Sequence, residues 1–210
     1  MTLHQPFVHD LAGVFAAPIQ AWATPTGAMT GAGAEGIFLA DDRIVSTYDV
    51  SVSGACATSL GLDAPTPATE SLPAGELSPV GTHPSGATKV RFVDVVSLEG
   101  LPVDPVVRMI RTREASIAGV QERVVVRSAA DHTVYLQVRA SFGIDALPMA
   151  AVKDPHLAQK LAPAIPTPEV ADGTARWSWR DGTAAELTAA GSSTGGPRPT
   201  DIRVTAHARR

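Results

Sequence analysis

The sequence predicts an all-β protein, an antiparallel β-sandwich with at most one short helix. Apolar and polar residues alternate with a period of two in several segments, turn residues separate these segments at short intervals, and one segment alone has a helical pattern. A chain of 210 residues is long enough for one sizeable core and short for two. We therefore expect residues 1–210 to form a single β-sandwich domain.

The alternation is clearest at residues 120–127 and 134–142, where apolar side chains alternate with arginine, glutamine and serine. Because the connection between these segments, residues 128–132, is short and polar, we predict that they pair as a hairpin. Alternation and turn residues predict the other strands at residues 7–15, 20–23, 89–97, 106–113, 175–180, 184–189 and 202–206.

One segment has a helical pattern, residues 154–161. Asp154 is placed to cap the helix and Pro155 occupies its first position, with Leu157 and Leu161 on one side. By contrast, residues 64–84 are rich in proline, threonine and glycine, and a structureless loop of that length is unusual in a compact domain. A short strand is therefore expected within residues 72–77.

Composition excludes several classes of partner. The net charge of -4 provides no basic surface for nucleic acid. The N-terminus lacks a basic segment followed by an apolar one, and no apolar run approaches the roughly 20 residues of a membrane span. Cys56 is the only cysteine, so neither an intrachain disulfide nor a thiolate cluster can form. We expect a cytoplasmic protein that has no nucleic acid or membrane partner.

Residues 36–54, GIFLADDRIVSTYDVSVSG, are the most informative stretch, and we call them the signature stretch. A glycine-flanked apolar entry leads to the charged triplet Asp41, Asp42 and Arg43. After the triplet, successive side chains alternate between the two sides of a strand. One side is apolar except for Ser46 and has Ile44, Ser46, Tyr48, Val50 and Val52. The other side is polar and has Thr47, Asp49, Ser51 and Ser53. The pattern predicts a half-buried strand.

The signature stretch resembles the "GLF-x-x-DTR-x-LS" motif in the N-terminal domain of bacterial glycogen debranching enzymes, or amylo-alpha-1,6-glucosidases. The matching residues are Gly36, Ile37, Phe38, Asp41, Arg43 and Ser46, and Asp42 replaces the usual threonine. A second island is similar to the family's "R-x-R... G... E-R-V-x-V-R-N" region, with Arg111, Arg113, Gly119, Glu122, Arg123 and residues 124–127, and with Ser128 where asparagine is common. A third, FGIDALPMAAVK, resembles "D-(F/L)-A-x-(M/L)-x-x-V-(K/R)" through Asp145, Met149, Val152 and Lys153.

The resemblance is strongest over residues 5–155 and implies a large mutarotase-like sandwich, or supersandwich. In the family this sandwich precedes a helical (α/α)6 toroid, which holds the hydrolytic carboxylates and cleaves alpha-1,6 branch glucosides. The toroid has no counterpart in these 210 residues. The resemblance therefore implies a non-catalytic domain that packs on a helical glycoside hydrolase domain, in the same or a neighbouring chain, and helps to shape its glucan cleft.

The charged triplet has two interpretations. Glycoside cleavage requires two carboxyl groups roughly 5 to 9.5 Å apart on either side of the bond, and adjacent residues in extended structure point to opposite sides. We therefore assign no catalytic role here and expect Asp41, Asp42 and Arg43 to lie at the interface with the toroid or in its glucan cleft. In the structural alternative, Asp41 orients the loop and Arg43 pairs with a carboxylate or a carbonyl of its own domain.

Two further function classes remain open. A stand-alone α-glucan-binding module would hold sugar on exposed aromatic rings, for which Trp22, Trp177 and Trp179 are the candidates, although most tryptophans belong to the core. A small mutarotase-like enzyme would need a histidine facing a carboxylate in a cleft. The histidines are scattered without metal-ligand spacing, and neither a G-x-S-x-G nor a phosphate-loop motif occurs. No metal or cofactor is therefore expected.

Overall fold

The structure is a computed structural model that describes residues 8–56, 72–102, 104, 106–161, 164–172, 174–178, 184–191 and 201–209. Within these residues, fourteen strands form two antiparallel sheets, accompanied by a 3₁₀-helix at Val8–Asp10 and two short α-helices. The strands are β1 (Ala12–Ala16), β2 (Ile19–Ala23), β3 (Met29–Thr30), β4 (Gly36–Leu39), β5 (Asp42–Cys56), β6 (Glu76–Pro84), β7 (Lys89–Ser97), β8 (Val107–Ser116), β9 (Gly119–Ser128), β10 (Val134–Pro148), β11 (Glu169–Ala171), β12 (Thr174–Ser178), β13 (Ala184–Gly191) and β14 (Asp201–Arg209). The helices are α1 (Met149–Lys153) and α2 (Pro155–Leu161).

The first sheet has the order β1-β2-β4-β5-β10, and β3 pairs with β5 beside β4. Its longest pair is β5 with β10, which lies at the edge of the sheet; Val134 is opposite Cys56 at one end of the pair and Pro148 opposite Asp42 at the other. Irregularities in the register interrupt this pair between Gly143 and Leu147. The signature stretch therefore provides β4 and most of β5, two interior strands of this sheet.

The second sheet has the order β11-β12-β13-β14-β9-β8-β7-β6. The chain passes from the first sheet to the second between β5 and β6. There the amide of Gly54 donates to the carbonyl of Pro73 at 2.8 Å, and the amide of Gly75 donates to the carbonyl of Val52 at 2.9 Å. Residues 73–75 therefore lie beside β5 of the first sheet, immediately before β6 begins in the second sheet.

The core lies between the two sheets, as expected for a sandwich. One cluster of buried residues includes Val14, Tyr48 and Val50 of the first sheet together with Phe92 and Met109 of the second. Phe142 of β10 also meets Trp177 of β12 edge to face, with ring centroids 5.8 Å apart. The predicted β-sandwich is confirmed.

Most of the individual strand predictions are confirmed, and the hairpin is not. β9 pairs with β8 and β14, whereas β10 pairs with β5 in the other sheet. The predicted hairpin of residues 120–127 and 134–142 is therefore wrong. Alternation indicates which side of a strand is buried, but it does not identify the neighbouring strand.

Three other strand predictions need smaller corrections. Residues 12–16 and 19–23 form the expected antiparallel pair, but Val8–Asp10 is a 3₁₀-helix rather than the start of the first strand. The strand expected within residues 72–77 begins later, at Glu76, and extends to Pro84. Residues 179 and 180 of the predicted strand 175–180 lie outside the described residues.

The helical prediction is correct for α2, where the Asp154 carboxylate accepts from the amides of His156 at 2.9 Å and Leu157 at 3.4 Å. A second helix, α1, corrects the expectation of at most one. It follows Pro148, which provides no side-chain cap, and is five residues long, so the usual sequence signals of a helix start are missing. No helix in the described part of the chain is long and apolar enough to cross a membrane.

Candidate functional site

The signature turn, Ala40 and Asp41, connects β4 to β5 at one end of the first sheet. Ala40 has a φ of 52°, a left-handed conformation that tight hairpin turns require. The Ala40 amide donates to the carbonyl of Pro18 at 2.8 Å, and the carbonyl of Asp41 accepts from the amide of Met149 at 2.6 Å. The turn backbone is thus held by both the β1–β2 turn and α1, while the side chain of Asp41 is exposed.

The three residues of the charged triplet have different environments. Asp41 is exposed, Asp42 is half-buried, and Arg43 is buried with 6% of its surface exposed. Arg43 donates through Nε to Asp145 Oδ2 at 2.9 Å, and its Nη2 also contacts that oxygen. The adjacent residues of the triplet therefore do not form one acidic site.

Arg43 also holds the loop between β3 and β4. Its Nη1 donates to the carbonyls of Gly31 at 3.2 Å and Glu35 at 3.3 Å. The Arg43 side chain passes so close to Gly36 that a Cβ there would lie 2.6 Å from Arg43 Cδ, and Gly36 has a φ of 136°. The first glycine of the signature stretch is thus required by both space and backbone conformation.

Glu35 is a buried carboxylate on the same loop. Its Oε2 accepts from the amide and the hydroxyl of Thr30, at 2.5 and 2.8 Å. Its backbone carbonyl is one of the acceptors of Arg43. Thr30, Glu35, Arg43 and Asp145 together form what we call the loop cluster, which connects the β3–β4 loop to β5 and β10.

A second group of buried charges lies between the two sheets, and we call it the core cluster. Arg111 Nε donates to Asp94 Oδ2 at 3.1 Å, while Nε and Nη2 of Arg113 lie 2.7 Å from Glu122 Oε2. These four residues are 2–4% exposed. Two positive and two negative side chains face each other, so each buried charge has a partner of opposite sign.

The core cluster connects the second sheet to the first. Tyr48 of β5 donates its hydroxyl to Glu122 Oε1 at 2.9 Å. The guanidinium of Arg113 lies between the rings of Tyr48 and Phe92, 5.2 Å from each centroid. Burial, followed by the charge of Glu122, raises the pKa of Tyr48 well above its ordinary value. The tyrosine therefore remains a neutral hydrogen-bond donor in this site.

The arginines of the core cluster also bind the turn between β2 and β3. Arg111 Nη2 donates to the carbonyl of Thr26, and Arg113 Nη2 donates to the carbonyl of Gly27 at 2.7 Å. Gly27 has a φ of 85°, and a Cβ there would lie 3.0 Å from the ring of Phe92. Gly27 is therefore buried against the core cluster, while Pro25 and Thr26 of the same turn are exposed.

Arg43 pairs with a carboxylate and two carbonyls of its own domain, as the structural alternative for the charged triplet predicts. For Arg111, Arg113 and Glu122, the sequence identifies matching residues but does not predict that they meet in pairs. The signal for burial was present in the alternation. Arg111 and Arg113 have the same parity as the buried Val107 and Met109, and Glu122 has the parity of Val120 and Val124. A charged residue at a position where the alternation predicts a buried side chain indicates a buried charge, and such a charge needs partners in an ionic cluster.

The three tryptophan candidates differ. Trp177 is buried against Phe142 in the core. Trp179 lies outside the described residues. Trp22 is half-buried on the outer side of β2, where its ring centroid lies 5.3 Å from that of Phe15, a residue that is 40% exposed. Among the described candidates, Trp22 alone has a ring that reaches the surface.

Among His9, His83, His132 and His156, whose side chains the structure describes, none forms an acid–base pair in a cleft. His9 contacts Asp10 at 3.4 Å and His132 contacts Asp131 at 3.5 Å, in both cases between exposed sequence neighbours. His83 and His156 are also exposed. No group of three or more potential metal ligands occurs in the part of the chain that the structure describes.

A comparison with models of protein families gives one match, the N-terminal domain of some glycogen debranching enzymes, over residues 15–207. The chain belongs to this family. Comparisons with curated proteins and with solved structures give no match. The match covers nearly the whole chain, from the end of β1 to most of β14.

In this debranching-enzyme N-terminal domain, the residues of the three motif islands meet in space. Arg43 of the first island pairs with Asp145 of the third, and Tyr48 next to the first pairs with Glu122 of the second. The first island lies on β4 and β5, the second on β8 and β9, and the third on β10 and α1. The family resemblance thus coincides with the loop cluster and the core cluster.

Proposed function

We propose that this chain is a non-catalytic sandwich that packs against a helical glycoside hydrolase domain, in the same or a neighbouring chain, and shapes its glucan cleft through the signature turn. Family membership supports the assignment to a debranching system. The chain has a single cysteine, the buried Cys56, which supports a reducing location such as the cytoplasm.

The observation that carries this proposal is an exposed carboxylate on a fixed backbone. Asp41 projects from a turn whose backbone is hydrogen-bonded to Pro18 and Met149. Two residues after Asp41, Arg43 is paired with Asp145. A preorganised turn loses little conformational entropy on docking. The side chains of a helical partner can therefore bind Asp41 without first ordering the turn.

Arg43 is a poor residue for testing an interface, because its guanidinium is used inside the domain and its loss would destabilise the fold. Asp41→Lys is the appropriate variant, because the exposed side chain can change while the turn backbone keeps its bonds. Asp131→Lys is the matched control, since Asp131 is an exposed carboxylate on the loop before β10. The two sites lie near opposite ends of the 15-residue pair β5–β10, roughly 45 Å apart along the strand.

The experiment compares both variants in the debranching-enzyme assembly that contains this domain, by measuring association with the helical domain and hydrolysis of a branched glucan. We expect Asp41→Lys to weaken association or lower kcat/KM at least tenfold and Asp131→Lys to have no effect. Wild-type values of both quantities for Asp41→Lys would refute docking through the turn. A helical domain that does not bind the wild-type chain at all would refute the proposed function.

A further inference from the structure

The outer side of the β1–β2 pair bears an aromatic surface that neither ion cluster uses. On β2, Ile19, Ala21 and Ala23 are buried towards the core, which leaves Gln20 and Trp22 on the outer side. On β1, the buried residue is Val14, and Phe15 is 40% exposed on the same outer side as Trp22. Two rings therefore adjoin on a surface that faces away from the sandwich core.

The ring of Trp22 is held in one orientation. Its Nε1 donates to Gln20 Oε1 at 3.0 Å. A Cβ at Gly13, which lies opposite Trp22 in the register, would come within 2.5 Å of Trp22 Cζ3 and 2.7 Å of Cε3. The indole therefore lies across the bare backbone of Gly13 and is half-buried on the outer side of β2.

Polar groups extend from this aromatic pair towards the signature turn. Gln20 Nε2 lies 3.4 Å from the carbonyl of Ala40, the residue before the exposed Asp41. Going outward from Trp22, the surface thus presents two aromatic rings, then an amide, then a carboxylate. We call Phe15, Gln20 and Trp22 the aromatic platform.

We propose that the aromatic platform binds an α-glucan chain, with a pyranose ring on Trp22 and sugar hydroxyls at Gln20 and Asp41. The C–H groups on the two sides of a pyranose suit flat aromatic rings, and the hydroxyls at its rim require donors and acceptors such as an amide and a carboxylate. The choice of an α-glucan over another sugar rests on the proposed function. Because the platform ends at the signature turn, a bound chain is directed towards the helical partner.

Binding of maltoheptaose to the isolated full chain tests this inference, monitored by calorimetry and by tryptophan fluorescence, with cellohexaose as the comparison sugar. We expect millimolar or tighter binding of maltoheptaose and weaker binding of cellohexaose. Trp22→Ala should weaken binding at least tenfold, and Gln20→Ala about threefold, because the ring loses its hydrogen bond. Val170→Ala is the matched control, since Val170 is 72% exposed on β11, the edge strand of the second sheet.

Circular dichroism of each variant confirms that the fold is retained, and Phe15→Ala replaces Trp22→Ala if the latter does not fold. No binding of maltoheptaose by the wild-type chain at millimolar sugar overturns the inference, as does equal affinity in the wild type and the platform variants. Loss of association with the helical domain in Trp22→Ala, without any sugar binding by the wild type, would identify the platform as a protein interface instead. Because sugar binding is measured without the helical domain, it can fail while docking through Asp41 succeeds.

Discussion

The ion pair between Arg43 and Asp145 predicts a large and strongly coupled loss of stability. Arg43→Ala removes the donor to Asp145 and to two loop carbonyls, and it leaves a carboxylate whose Oδ1 already has no hydrogen-bond partner in the described part of the chain. Breaking a buried pair by removing one member costs about 3–5 kcal/mol. Because the Asp145 side chain is 19% exposed, water offsets part of this cost, and we expect a value near the lower limit.

A loss of about 3 kcal/mol is smaller than the total stability of about 5–15 kcal/mol that domains have, so the variant should still fold. For a chain of about 200 residues, 1 kcal/mol corresponds to about 2–4 °C in Tm, which gives an expected decrease of about 6–12 °C. Asp145→Ala should cost a similar amount. The double variant should cost little more than either single one, which gives a coupling energy of about 2 kcal/mol.

Urea denaturation of the wild type, the two single variants and the double variant measures this coupling. Arg139→Ala is the matched control, because Arg139 is an exposed arginine on β10, the strand that holds Asp145. Its effect should be within about 0.5 kcal/mol of zero. A coupling energy below about 0.5 kcal/mol, or an equal loss in Arg139→Ala, would refute the reasoning that the loop cluster stabilises the domain through this pair.

Two further predictions concern Tyr48 and Gly36. The pKa of Tyr48 is raised in the folded state by burial and by Glu122, so its contribution is complete below the unfolded value of about 10 and is lost as pH rises towards the folded value. Tyr48→Phe should therefore be less stable at neutral pH by about 1.5–3 kcal/mol and lose less stability above about pH 10 in urea titrations, whereas parallel pH curves would contradict this. Gly36→Ala should be more destabilising in thermal unfolding than Gly86→Ala. Both glycines have positive φ, so the backbone strain is common to the two variants. A Cβ at Gly36 would lie 2.6 Å from atoms of β5, whereas one at Gly86 would have nothing within 4 Å. Equal losses at the two glycines would show that backbone conformation alone matters.

The inner and outer sides of β5 could be predicted because each depends on local sequence. Tyr48, Val50 and Val52 are buried, and the residues between them, Asp49 and Ser51, are exposed, as the period of two requires. The same information could not predict that β10 pairs with β5, because four strands of the second sheet, β6 to β9, separate them along the chain. Strand neighbours are determined by how the two apolar sides fit together, which is a property of the whole core.

The ionic clusters were partly predictable for a related reason. Arg111 and Glu122 occupy positions that alternate along their strands in the same register as buried apolar residues, which indicates that both point inward. A buried charge needs a partner of opposite sign. No local pattern indicates that Tyr48 of the other sheet completes the cluster, or that carbonyls of the β2–β3 turn accept from the arginines. These contacts join residues 70 or more positions apart, as the separation of 74 between Tyr48 and Glu122 shows.

The location of the family motifs inside the domain changes where function should be sought. A volume-conserving exchange of one apolar core residue for another costs less than about 1.5 kcal/mol, whereas the loss of one member of a buried ion pair costs about 3–5 kcal/mol. Paired buried charges such as Arg43 with Asp145 therefore tolerate substitution less than the apolar residues around them, and stability alone can produce a recognisable motif. Binding is therefore better sought in side chains beside the motifs, such as the exposed Asp41 and the half-buried Trp22 of the two proposals above.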